Sequence, residues 1–228
     1  MKKLFFLLAA LFVATSALVF TGCNDDEDEM DMAKVLVVHA SPDAPGVDIL
    51  VDDTKVNTAA LTFPNNTAYL DVEAGQRNIK VNVAGANPAV TAINTNVTFA
   101  KDKNYSVFAG NAVANIEPLL FEDNLAAPAT GKAHVRFIHL SPDAPAVDVA
   151  LTGGAAVFPN ISFKNGTSFA PLDAGTYNLE VRVAGTQTVA LPLPGVVLEA
   201  GKIYTVFAKG FLAGTGAQAL GAQIIVNN

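Results

Sequence analysis

One ten-residue pattern occurs twice in this chain, and it limits what the chain can fold into more than any other feature. The two copies begin one hundred residues apart, span residues 39–48 and 139–148, and read HASPDAPGVD and HLSPDAPAVD. An apolar run precedes each copy and another apolar run follows it. Because Ser, Pro, Asp and Gly between two apolar runs indicate a turn, each copy predicts a strand, a turn and a second strand.

The repetition extends well beyond these ten residues. At the same offset Phe63 matches Phe163, and after the loss of one residue the segment 105–109 matches the segment 204–208. Two copies of this length predict two domains joined end to end, because a solenoid needs shorter and more numerous units. We therefore expect one domain over 34–124 and another over 132–228. The linker between them, 125–131, is short and contains Pro128, so it should allow only limited rearrangement of the pair.

Within each copy the apolar residues recur with a period of two. Ile79, Val81 and Val83 alternate with polar residues, which is typical of a strand with one face buried and the other in water. Ala74-Gly75 and Ala174-Gly175 precede such strands and are interpreted as hairpin turns. No segment after the N-terminus has the pattern of an amphipathic helix. The predicted fold is therefore all-β, with two tandem β-sandwich domains, immunoglobulin-like or similar, of about seven strands each.

The N-terminus has the features of an export signal. Lys2 and Lys3 precede an apolar run, and residues 1–22 are too short and wrongly flanked for a spanning helix. The tetrapeptide that ends in Cys23, Phe-Thr-Gly-Cys, resembles the lipobox of bacterial lipoprotein signal peptides, although leucine is more usual where Phe20 stands. Cys23 is the only cysteine, so an intrachain disulfide is excluded and lipid attachment to Cys23 is the predicted modification.

An acidic segment follows the cysteine. Six carboxylates lie between Asp25 and Asp31 with almost no apolar side chains, which predicts a solvated tether over 23–33; a calcium site in this segment is the alternative. The chain has a formal net charge of -7 and no basic cluster, so nucleic acid is not an expected partner. The expected location is the cell envelope, with the membrane as partner through the lipidated Cys23. An outer-membrane position fits best, and its periplasmic or surface face stays open.

The repeated pattern has a structural and a catalytic interpretation. His39 follows Val35 and Val37 at even spacing, so it shares their buried face and its ring can hold the backbone of the turn. The alternative, a Ser-His-Asp hydrolase, lacks a glycine elbow and a following helix for the oxyanion, and its groups are too close in the sequence to converge. No catalytic residue is therefore assigned. The residues assigned to a structural turn are His39, Ser41, Pro42, Asp43 and Asp48, with His139, Ser141, Pro142, Asp143 and Asp148 in the second copy.

Metal and cofactor sites have little support in the sequence. The chain has three histidines and one cysteine, so a structural zinc site is not expected. Calcium held by Asp43, Asp48 and turn carbonyls is the remaining metal alternative. The chain has no nucleotide-binding or zinc-protease motif, and no cofactor is expected.

The repeated pattern, HxSPDAPxVD after a valine-rich strand, resembles the signature of the DUF4397 family of domains. The resemblance covers nearly all of residues 34–228. The first copy departs from it where an arginine is frequent before the histidine, whereas the second copy keeps Arg136. The resemblance implies exported tandem β-domains, and it carries no established activity.

Export, repetition and the lack of a catalytic constellation favour a non-enzymatic binding or adhesion module with an extracellular protein or glycan as ligand. The chain has no tryptophan, which argues against a stacking platform for sugars or bases. A passive structural envelope protein and a hydrolase that uses the Ser-Pro-Asp turn are the alternatives.

Overall fold

The computed structural model describes residues 30–228 and consists almost entirely of β-strands and their connections. The expected signal peptide, Cys23 and the first part of the acidic tether lie outside the described residues. Among residues 30–228, no helix has the length and apolar character needed to cross a membrane.

The first half of the described chain forms a sandwich of two four-stranded sheets. One sheet has the order β4-β1-β7-β8, with β1 and β7 parallel, and the other has the order β3-β2-β5-β6. The strands are β1 (Met32–His39), β2 (Val47–Val51), β3 (Thr54–Lys55), β4 (Leu70–Glu73), β5 (Gly75–Val83), β6 (Thr91–Phe99), β7 (Asn104–Gly110) and β8 (Glu117–Asp123).

The second half repeats this arrangement. Its sheets have the orders β12-β9-β15-β16 and β11-β10-β13-β14, and β9 and β15 are again parallel. The strands are β9 (Lys132–His139), β10 (Val147–Leu151), β11 (Ala156–Ile161), β12 (Ala170–Asp173), β13 (Gly175–Val183), β14 (Val189–Leu198), β15 (Ile203–Lys209) and β16 (Gly221–Val226). The all-β prediction with two tandem sandwiches is confirmed.

From Val35 to His39 the first strand is buried on both faces, which explains the apolar run Val35 to Val38. In β1, Val35 and Val37 pack in the core between the two sheets of the first sandwich. The alternate residues Leu36 and Val38 point the other way, into a separate apolar cluster. The second sandwich has Arg136 at the position of Leu36, and this buried side chain needs a partner of opposite charge.

That separate cluster joins the two sandwiches, and we call it the inter-sandwich core. The first sandwich contributes Leu36, Val38 and Phe108, and the second contributes Ile138 and Phe207, among others. The rings of Phe108 and Phe207 meet edge to face, with centroids 5.6 Å apart. Full burial of such side chains stabilises by about 1.5–3 kcal/mol each, so the sandwiches are expected to form one folded body.

A buried ion pair reinforces this junction. Arg136 of β9 lies 2.6 Å from Asp123 at the end of β8, and both side chains are almost fully buried. Ser106 and Tyr69 donate hydrogen bonds to the same carboxylate at 2.7 and 2.6 Å, and Asn227 donates to the Tyr69 hydroxyl at 3.0 Å. Burial lowers the pKa of Arg136, an effect that Asp123 opposes, while burial and the carboxylate together raise the pKa of Tyr69.

Several details of the sequence interpretation were wrong. Ala74-Gly75 does not close a hairpin, because β4 and β5 belong to different sheets; Gly75, at a φ of 99°, forms a corner between them, and Gly175 occupies the same place between β12 and β13. Each sandwich has eight strands where about seven were expected. The first strand also begins at Met32, inside the segment assigned to the tether. A turn pattern shows where the chain changes direction and not which sheet the next strand joins.

Candidate functional site

The repeated turn connects the two sheets of its sandwich and is held by its histidine. His39 ends β1 and His139 ends β9, and both side chains are fully buried. The Nε2 atom of His39 lies 2.9 Å from the carbonyl oxygen of Pro45, and His139 lies 2.9 Å from that of Pro145. Since a carbonyl only accepts, Nε2 carries the proton and donates. Each ring therefore fastens the far end of its turn to the end of its strand.

The surroundings keep these imidazoles neutral. Burial lowers the pKa of both His39 and His139 because a charged ring would lose its hydration. The Nδ1 atom of His139 accepts a hydrogen bond of 3.3 Å from the backbone N–H of Ser141, which requires the same neutral tautomer. Each ring also meets a phenylalanine edge to face, Phe63 at 6.3 Å and Phe163 at 6.2 Å.

The aspartates of the turn tie it to a neighbouring loop. The Oδ1 atom of Asp43 accepts from the backbone N–H of Val113 at 2.8 Å, and that of Asp143 accepts from Leu212 at 2.7 Å. Both donors lie just after the strand that pairs in parallel with the first strand of the sandwich, β7 or β15. The prolines, Pro42 and Pro142, occupy the turn itself next to these aspartates. The turn is thus fixed both to its own strand and to the loop beside it.

The two serines of the turn differ in their hydrogen bonds. Ser41 and Ser141 are fully buried. The Ser141 hydroxyl donates to the carbonyl oxygen of Gly210 at 2.7 Å, whereas the Ser41 hydroxyl has no hydrogen-bond partner among residues 30–228. Neither hydroxyl is bonded to an imidazole, which is the contact that activates a serine nucleophile.

The last aspartates of the pattern belong to a different part of the structure. Asp48 and Asp148 are the second residues of β2 and β10. Asp48 forms an ion pair of 2.8 Å with Lys55 on β3. Asp148 accepts from the backbone N–H groups of Asn160 and Gly185 at 2.6 and 2.9 Å. The structure thus brings His, Ser, Pro and the first Asp together and gives the second Asp a separate role in strand pairing. In the described chain, no three of its His, Cys, Asp and Glu side chains converge as metal ligands would.

An apolar cavity inside the second sandwich was not anticipated from the sequence. It has a volume of about 150 Å³ and lies between the two sheets, and no polar atom contributes to its accessible wall. Two of the lining side chains, Leu151 and Ile224, are each 41% exposed, so the cavity reaches the surface. The other lining residues are Val135, Phe137, Val149, Val157, Phe158, Leu172, Tyr177, Leu179, Leu193, Val196, Leu198 and Val206.

A difference in side-chain size accounts for part of this cavity. Leu198 lines it and pairs with Gly175, the first residue of β13. In the first sandwich the residue that pairs with the corresponding Gly75 is Phe99, whose buried ring packs 5.2 Å from the ring of Tyr105. A leucine in place of this phenylalanine leaves space that no neighbouring side chain fills.

The rim of the cavity differs between the sandwiches as well. Tyr177 lines the cavity with its ring and donates its hydroxyl proton to the carbonyl oxygen of Asp173 at 2.8 Å. The matching residue of the first sandwich is Arg77, which forms ion pairs with Asp52 at 3.3 Å and with Glu73 at 2.8 Å. The corresponding end of the first sandwich also has a groove, of about 380 Å³, but Asp52, Glu73 and Arg77 contribute to its wall, so this groove is partly polar.

Only part of this site had a signal in the sequence. Alignment of the two copies sets Phe99 against Leu198 and Arg77 against Tyr177, and both replacements are visible without coordinates. Their meaning depends on eight strands that contribute to one cavity, which no local pattern shows. The partner of Arg136 was missed for the same reason, since Asp123 lies in the other copy.

The protein is thus a tandem all-β protein: each of its two β-sandwiches has a buried histidine turn, and the two pack together through a common apolar interface. The family model of a domain of unknown function, DUF4397, matches the chain twice, over residues 33–150 and 151–228. The chain belongs to the DUF4397 family, as its repeated pattern indicated. The search of curated proteins found no match.

Proposed function

We propose that this protein is a lipid-anchored cell-envelope protein that acts as a non-enzymatic binding module. The apolar cavity of the second sandwich carries the binding part of the proposal. A concave apolar site that reaches the surface is the usual form of a small-molecule site, and the groove at the matching end of the first sandwich is lined in part by charged side chains. The buried serines and histidines of the repeated turns support a role without catalysis.

The anchor part rests on the sequence alone. An apolar signal ending in a lipobox-like tetrapeptide and an acidic spacer would attach the sandwiches to a membrane through Cys23. The Cys23→Ser variant should therefore leave the membrane fraction while its melting curve stays unchanged. Retention of the variant in the membrane fraction would contradict lipid attachment.

The binding role is tested with the mature chain against a panel of small apolar molecules, envelope glycans and envelope proteins. A ligand that binds only the folded state raises Tm, and at one hundred times its Kd it adds about 2.7 kcal/mol to the free energy of unfolding. We expect at least one panel member to raise Tm. A panel without any effect, together with a weakened envelope on deletion of the gene, would favour the passive structural role.

A further inference from the structure

The wall of the cavity determines what kind of molecule it accepts. No polar atom contributes to this wall, so a buried water molecule would lack the two to four partners it needs. Apolar cavities of this size stay dry and accept molecules such as benzene or xenon. A ligand group with a hydroxyl or a charge inside the cavity would lose its hydration without compensation.

The rim adds a second restriction. Leu151 and Ile224 are apolar and exposed, and the Tyr177 hydroxyl is directed to the backbone of Asp173. Lys or Arg side chains do not line the cavity, so it offers no ion pair to a carboxylate or phosphate. Recognition at this site must come from apolar contact and shape.

We propose that the cavity of the second sandwich binds a small hydrocarbon group, either a free molecule of about the size of benzene or the terminal carbons of a lipid acyl chain. This inference rests on the proposed binding function and names its ligand class. The groove at the corresponding end of the first sandwich does not offer the same site, because Asp52, Glu73 and Arg77 contribute to its wall and Phe99 takes the place of Leu198.

The test uses the mature chain with Cys23→Ser, because an unlipidated protein can be purified without detergent that would compete for the cavity. Benzene at about five times its Kd should raise Tm by roughly 2–4 °C. Phenol at the same concentration should give no rise, since its hydroxyl would be buried without a partner.

Two variants locate the effect. Leu198→Phe introduces the ring that the first sandwich has at position 99 and should abolish the benzene shift. Val149→Ile introduces the side chain that the first sandwich has at position 49. It fills less of the cavity than Leu198→Phe does and should reduce the benzene shift without abolishing it. It replaces Leu198→Phe in the test if that variant does not fold. Phe99→Leu is the matched control in the first sandwich and should keep a shift of at least the original size.

Flotation with vesicles of phosphatidylethanolamine and phosphatidylglycerol distinguishes the two possible sources of the hydrocarbon group, a lipid acyl chain and a free small molecule. Vesicle binding that Leu198→Phe abolishes would assign the site to an acyl chain, whereas a benzene shift without vesicle binding would assign it to a free small molecule. The absence of a benzene shift, or a shift that both cavity variants leave intact, would overturn the inference. If another panel member still bound the protein in that case, the inference would fall and the proposed binding function would stand.

Discussion

The two sandwiches have the same strand order and the same buried histidine turn, yet they close their interiors differently. The first has Phe99 beside the start of β5, and the groove at that end has Arg77, Asp52 and Glu73 in its wall. The second has Leu198 and Tyr177 at the matching positions and retains an apolar cavity of about 150 Å³.

This difference separates scaffold from function within one duplicated fold. Two hydrogen bonds of the histidine turn are the same in both copies: the Nε2-to-carbonyl bond is 2.9 Å in each, and the bond from the neighbouring loop to the aspartate is 2.8 or 2.7 Å. A feature kept in both copies serves the fold that both share. A feature present in only one copy, such as a cavity with a wholly apolar wall, is where a specific activity can reside.

The largest expected loss of stability comes from the junction between the two sandwiches. The comparison of the sandwiches assumes that this junction joins them into one folded body. Arg136→Ala should lower the free energy of unfolding by about 3–5 kcal/mol, since it leaves the buried Asp123 carboxylate uncompensated. Chemical denaturation measures this loss. Lys34→Ala is the control: its ion pair with Asp71 is exposed and should contribute about 0–1 kcal/mol. Equal effects of the two variants would show that the junction is not a stabilising interface.

The histidine turns should contribute to the stability of both sandwiches. His39→Ala or His139→Ala should each cost about 1–3 kcal/mol through the lost bond to Pro45 or Pro145. His39→Gln retains an N–H donor and should recover part of the loss. Thermal melting of the variants checks this, and an unchanged melting curve for either alanine variant would refute the structural role of that turn.

The same histidines predict how stability depends on pH. Burial lowers the pKa of both rings in the folded state, so the unfolded chain binds more protons below the ordinary histidine pKa of about 6.5. The contribution of the two neutral rings to the free energy of unfolding is complete above that pH. It is lost as the pH falls toward the lowered pKa that the rings have in the folded state. The double variant His39→Gln with His139→Gln should melt with a weaker pH dependence between 7 and 5 than the original protein; an identical dependence would contradict this account.

Exchange of Phe99 and Leu198, the last residues of β6 and β14, tests directly whether these two side chains cause the difference between the two interiors. Phe99→Leu should destabilise the protein by about 1–2 kcal/mol, because it opens in the first sandwich a space like that of the second. Leu198→Phe should stabilise by about 0.5–1 kcal/mol, as cavity-filling substitutions commonly do. Denaturant midpoints give both values. Destabilisation by Leu198→Phe as large as that by Phe99→Leu would show that the second interior has no usable space.

The smallest expected change in stability is the difference between alanine substitutions of the two serines. Ser141→Ala should cost about 1 kcal/mol because it removes the bond to the Gly210 carbonyl, whereas Ser41→Ala should be close to neutral. The melting temperatures of the two variants provide the comparison. The variants also test the hydrolase alternative, since any esterase activity that survives in the double alanine variant cannot use these turns.

Much of the fold was predictable because it depends on local patterns. Alternation such as that of Ile79, Val81 and Val83 predicted strands, and the repeated decapeptide predicted both duplicated sandwiches and the DUF4397 family. The sheet to which a strand belongs was not predictable, as Ala74-Gly75 shows, because a corner and a hairpin use the same residues. The Arg136–Asp123 pair and the cavity depend on residues that are distant in the sequence, so only the assembled structure brings them together.

The claim that only the second sandwich has a usable apolar site can be tested with xenon. Crystals of residues 23–228 with Cys23→Ser, pressurised with xenon, should show a bound atom among Phe137, Val149 and Leu198 and none at the corresponding position beside Phe99. Equal occupancy of the two sandwiches, or no xenon in either of them, would contradict the account.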